Sequence, residues 1–141
     1  MKELTDVSYC PSCCTALYDA MGISLNNLRD KVSADDTVLV TVVTDGYENS
    51  SQEYSGKAIK ALVDELKAKG WVFAYIGANQ DVEAVAAQIS ITNVLNFDAS
   101  SDGTKVMSGT LASARARVYD SIADRSFCPG SANVAFFDEK V

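Results

Sequence analysis

The chain has 141 residues, 48% hydrophobic and 22% charged, and its 12 Lys and Arg against 19 Asp and Glu leave a formal net charge of −7. That is one domain's worth of chain with the balance of a globular protein, which excludes a disordered segment and a membrane bundle. The acidic excess without clustered Lys or Arg argues against general nucleic-acid binding, and the complete absence of His removes Ser-His-Asp and Cys-His nucleophiles and every His-ligated metal site.

Taken in chain order, Met1 to Asp6 carries two acids, one Lys and no apolar core, so no signal peptide is expected and the chain is read as cytoplasmic. Leu17, Ala20, Met21, Ser24, Leu25 and Leu28 recur at helical spacing, which predicts an amphipathic helix from Thr15 to Arg29. The run TVLVTVV, bounded by Thr37 and Val43, is β-branched and almost continuously apolar, as suits a strand covered on both faces of a parallel sheet. It is far short of the ~20 apolar residues that span a bilayer. Ser50 and Glu53 have the spacing of a capping box, and Ile59, Leu62, Val63 and Leu66 form the apolar stripe of a second helix closed by Gly70. Trp71 to Ile76 reads as a second buried strand. A turn from Gly77 to Gln80 leads to a short helix with Val82, Val85, Ala86 and Ile89 on its inner face, and Asn93 to Phe97 reads as a third strand. After a polar loop from Asp98 to Gly103, Met107, Leu111, Ala114 and Val118 mark a last helix. A turn at Cys128-Pro129-Gly130 then precedes Val134 to Phe137, which could be a small strand. Strands alternating with helices indicate an α/β parallel sheet.

Ligands of such sheets bind beyond the carboxyl ends of the strands. Asp45 follows the best strand, in a loop rich in hydroxyls that precedes a helix. Oxygen ligands of this kind suit Mg²⁺, Ca²⁺ or Mn²⁺, although Asp and Ser at such a loop also satisfy turn and cap hydrogen bonds. A thiol site is a second possibility, since Cys10, Cys13, Cys14 and Cys128 could hold Zn²⁺ or act as a redox pair. Buried small hydrophobes account for the same cysteines. A third possibility, a phosphate-handling or metal-dependent α/β enzyme, lacks both Gly-x-Gly-x-x-Gly and Gly-Lys-Ser/Thr. Asp98 and Asp102 could join Asp45 around a metal, yet a solvated loop and helix cap explain them as well. Trp71, Phe73 and Tyr75 alternate on a strand and are read as core.

Three blocks of sequence, YCPSCCTALYDA from Tyr9, VTDGYENSSQEY from Val43 and GWVFAYIGANQD from Gly70, resemble the von Willebrand factor type A domain in its compact bacterial and phage form. The resemblance runs from about Leu4 to Tyr119, leaving residues 120–141 as a tail of the same single domain. It implies a three-layer, doubly wound, mostly parallel Rossmann-like sheet whose top carries a metal-ion-dependent adhesion site, completed by an acidic side chain of a protein partner. Thr15 matches the family's metal-site Thr and Asp45 its metal-site Asp, with Mg²⁺ or Mn²⁺ as the implied cation. Two departures stand out: no Asp-x-Ser-x-Ser loop precedes Thr15, and Cys13 stands where the family tends to have Gly.

The resemblance therefore implies a domain shortened on its amino-terminal side and a non-enzymatic protein-interaction module with an incomplete adhesion site. Loss of the first strand would leave Thr37 to Val43 without one neighbour, a hazard that proteins cover. A homodimer pairing these strands antiparallel across a twofold axis is the expected cover. Its alternatives are internal: Ala132 to Phe137, or the segment before Thr15, folding back onto the edge.

Overall fold

The computed structural model describes residues 16–44, 51–78, 81–98, 100–129, 132–133 and 136–137. Among them the elements follow in the order α1 (Leu17–Arg29), β1 (Leu39–Thr44), α2 (Gly56–Ala68), β2 (Val72–Ala78), α3 (Val82–Gln88), β3 (Asn93–Phe97) and α4 (Ser101–Ala123). The three strands form one parallel sheet ordered β1-β2-β3, with Leu39 opposite Val72 and Ala74 opposite Asn93. The α/β class read from the alternation of elements is therefore the one observed. Every residue of the central β2 is buried, and for that reason its sequence is an unbroken apolar run instead of an alternating one.

Successive β2 side chains feed two cores. Phe73 and Tyr75 are fully buried against Met21 and Leu25 of α1, Ile59, Val63 and Leu66 of α2, and Val82 and Ala86 of α3. Val72 and Ala74 face the other way, toward Ala114 and Val118 of α4 and toward Phe136. Helices thus lie on both faces of the sheet. Because the strands step in one direction, right-handed crossovers carry α2 and α3 to the same face, and α4 covers the other. Each large side chain removed from water in this way contributes roughly 1.5–3 kcal/mol. No described helix is long and apolar enough to cross a membrane.

Local chemistry moves several boundaries. β1 begins at Leu39 instead of Thr37 and reaches Thr44, while β2 begins after Trp71 and runs to Ala78. Trp71, Phe73 and Tyr75 are core, as expected, the first two rings stacked at 6.4 Å. The expected capping box does not start α2. Its N-cap is Ser55, whose hydroxyl accepts the Ala58 N–H at 3.2 Å, and the Glu53 N–H is engaged elsewhere, by Asp19. Gly70 closes the helix at φ +92°, a conformation natural to glycine alone. The polar loop expected to run to Gly103 is shorter, since Ser100 caps α4 by accepting the Gly103 N–H at 3.0 Å.

The tail differs most from expectation. Ala132 and Asn133 are helical and Phe136 and Phe137 lie in a turn, so the described part of the 134–137 segment is no strand; Val134 and Ala135 fall outside the described residues. Nor do the described residues of this tail pair with β1. The Val72 N–H points to β1, bonding the Val38 carbonyl at 2.9 Å, so the Trp71 carbonyl and the Phe73 N–H and carbonyl point to the opposite side. There β3 begins only at the level of Ala74. Asn133 occupies the vacant place: its Oδ1 accepts the Phe73 N–H at 3.0 Å, and its Nδ2 donates to the carbonyls of Trp71 at 2.8 Å and Pro129 at 3.1 Å. Asn93 does the same in reverse, donating to the Phe73 and Ala132 carbonyls at 2.9 and 2.7 Å and accepting the Phe136 N–H at 3.0 Å. Two buried side-chain amides thus stand in for peptide groups and satisfy donors and acceptors that burial would otherwise penalise.

Candidate functional site

The segment that enters α2 after β1 is held by three successive turns of α1. Asp19 sits in the first turn, and its two carboxylate oxygens accept three consecutive backbone N–H groups, from Gln52 at 2.8 Å, Glu53 at 2.9 Å and Tyr54 at 2.8 Å. The Asp19 N–H in turn donates to the Ser51 hydroxyl at 3.0 Å. The N–H of Gln52 foremost, opposed by burial and then reinforced by those of Tyr54 and Glu53, holds the Asp19 carboxyl below its usual value of 3.8, as expected for a carboxylate that several amides bind in its charged form.

One turn further along α1, Gly22 admits the Tyr54 ring. A Cβ at Gly22 would lie 2.5 Å from that ring. Asn26, a further turn on, donates from Nδ2 to the Tyr54 hydroxyl at 3.0 Å and to the Gly22 carbonyl at 2.9 Å. Asp19, Gly22 and Asn26 recur every three or four residues and therefore share one helix face. Together they seat the segment that links β1 to α2. None of the three was singled out in the sequence. The signal available there was a polar-small-polar stripe on a helix otherwise read only for its apolar face.

Thr15 and Asp45 both lie outside the described residues, as do Ser50, Asn79, Gln80, Cys10, Cys13 and Cys14. Their described neighbours are Ala16, whose carbonyl accepts the Ala20 N–H at 3.0 Å at the start of α1, and Thr44, buried in β1 opposite Gly77. The Asp19 clamp joins the stretch just after Thr15 to the stretch just after the Asp45 loop. Among the described residues no hydrogen bond draws Asp98 or Asp102 to this place: the Asp98 carbonyl accepts the Ser100 N–H at 2.7 Å, and Asp102 lies in the first turn of α4. Cys128 is exposed in the segment after α4, next to Pro129, whose ring lies 3.5 Å from where a Cβ on Gly70 would stand.

The described part of this site is a set of backbone and side-chain hydrogen bonds that ties residues 52–54 to α1. Among the described residues no cluster of three or more Cys, Asp or Glu side chains could hold a metal ion. The Asp19 carboxylate is committed to amides. Comparison with known proteins finds no match to the chain, neither a protein family, nor a curated protein, nor a solved structure.

Proposed function

We propose that the chain is a non-enzymatic interaction module of the von Willebrand factor type A kind, which binds another protein through the carboxyl end of its sheet. The observation that supports this reading is the Asp19 clamp. It holds residues 52–54, just before α2, at the end of the sheet where open α/β sheets bind their ligands. A Mg²⁺ or Mn²⁺ ion is not part of the reading. Thr15 and Asp45 offer one hydroxyl and one carboxylate against the ~6 oxygens that Mg²⁺ prefers, and Asp19 is already engaged. Thr15 and Asp45 by themselves do not amount to a cation site.

The test is site-specific photo-crosslinking in an extract of the cells that make the chain, with the crosslinker at exposed Gln52 or, as a control at the opposite end of the sheet, at exposed Asp35. One defined protein adduct from position 52 and none from position 35 is expected. Adducts from position 35 alone, or none from 52, would refute the reading. Calorimetric titration with Mg²⁺ and Mn²⁺ supplies the second arm: micromolar binding that Asp45→Ala abolishes would replace it with a metal site.

The reading also includes a homodimer. Among the described strands β1 has one neighbour, β2, and Val43 on it is 52% exposed. Antiparallel pairing of two β1 strands across a twofold axis would satisfy their outer backbone groups. Sedimentation equilibrium in the micromolar range should give a dimer, and a monomer throughout would rule the pairing out.

A further inference from the structure

At the amino end of the sheet, a cavity of about 550 Å³ opens between the last turns of α4 and the segment that follows. That volume is typical of a small-molecule site, roughly 300–1,000 Å³. Its floor is apolar, built from Ala114 and Val118 of α4 and from Phe136. Its rim carries Arg117, Asp120 and Asp124. These three follow one another on a single helix face over roughly 10 Å of axis, at 1.5 Å per residue.

The charged groups on the rim are unequally engaged. Asp124 accepts from both the hydroxyl and the N–H of Ser126, at 2.6 and 3.2 Å. Half-buried Arg117 donates to the Phe136 carbonyl over a long 3.4 Å, and among the described residues it forms no ion pair. A guanidinium carries five N–H donors in a planar fork suited to a carboxylate. A simple anion would meet two carboxylates beyond that fork, and a simple amine would leave the guanidinium unused. A ligand with a carboxylate at one end, an ammonium at the other and an apolar body between them matches the charge order and the floor together.

We propose that this cavity binds a short hydrophobic peptide of two or three residues as the zwitterion, with its terminal carboxylate on Arg117, its apolar side chain on the floor and its ammonium toward Asp120 and Asp124. Such a peptide is about 7–10 Å long, which is the length of the charged row.

The experiment uses the full chain and three probes: the tripeptide leucyl-phenylalanyl-leucine, its carboxyl-terminal amide and its N-acetyl derivative. Binding is measured by calorimetry. In parallel, alkylation of Cys128, which is exposed on the cavity wall, is followed by peptide mapping. The tripeptide should bind and slow Cys128 alkylation. Amidation, acetylation and Arg117→Gln should each weaken binding by about tenfold or more, the worth of a hydrogen bond to a charged group. An amide or N-acetyl derivative that binds as tightly as the free peptide would overturn the proposal, as would no binding at millimolar concentration. Should Arg117→Gln fail to fold, the two derivatives on the unaltered chain still decide.

Discussion

Replacing Asn133 by Ala tests the idea that a side chain completes the sheet. The substitution removes three hydrogen bonds and leaves the Phe73 N–H and the Trp71 carbonyl without partners in a region where Phe73 is fully buried and Trp71 nearly so. A buried group left unsatisfied costs about 1–3 kcal/mol. Two such groups, partly relieved by water entering the vacated volume, make a loss of about 3 kcal/mol the expected result. With an m-value of about 1.5 kcal/mol/M, the urea midpoint should fall by about 2 M. Amide hydrogen exchange should show the Phe73 N–H losing protection ahead of its β2 neighbours. Asn133→Asp sharpens the test, because it keeps an acceptor for Phe73 but turns a second acceptor toward the Trp71 and Pro129 carbonyls. Protonation restores a donor, so the folded carboxyl titrates above its unfolded value of about 3.9. The variant should therefore be most stable below that pH and lose stability as the pH rises through the interval up to the folded value. A loss below about 1 kcal/mol for Asn133→Ala, with Phe73 protection unchanged, would refute the account.

Asp19→Asn should lower the denaturation midpoint at neutral pH. Since the Asp19 carboxyl is held below 3.8, that difference from the unaltered chain should be complete above this pH and shrink as acid protonates the wild-type carboxylate, read from urea midpoints at pH 7 and pH 3. Two glycines of α4 should respond in opposite directions in thermal melts. A Cβ at Gly103 would lie 2.0 Å from the Asp98 carbonyl oxygen, so Gly103→Ala should cost about 1–3 kcal/mol. Gly109 has nothing within 4 Å of that position, and Gly109→Ala should stabilise the helix by about 0.5–1 kcal/mol. Ser55→Ala should cost about 1 kcal/mol in chemical denaturation, which would locate the start of α2 where Ser55 caps it.

The elements that sequence reasoning placed well are those whose pattern is decided locally. β2 and α2 announce themselves through an unbroken apolar run and an apolar stripe, and β3 through a short apolar segment between polar loops. Where a tertiary partner decides, the local pattern misleads. Ser50 and Glu53 have capping spacing, but Asp19, 34 positions before Glu53, binds the Glu53 N–H, so the helix starts later. An Asp that gathers three amides reads in sequence like any solvated Asp on a helix, and Asn133 reads like a turn residue. Their roles are set by what lies opposite them in space. Thr15 rests on resemblance and Asp45 on resemblance and its place just after a strand, and the described residues show only that the stretches beside them are joined.

The exchange of amides between Asn133 and the start of β2 also has a temporal side. Its two ends are 60 and 62 positions apart, whereas each β-strand meets its sheet neighbour across a single intervening helix. At a synthesis rate of about 5–20 residues per second, Asn133 follows Phe73 off the ribosome by roughly 3–12 s. Late in that interval all three strands and most of α4 exist, yet the Phe73 N–H and the Trp71 carbonyl still lack the partner that Asn133 brings. The nascent domain must wait with an unfinished sheet, which is when a chaperone or a neighbouring nascent chain has its best opportunity to pair with Trp71 and Phe73.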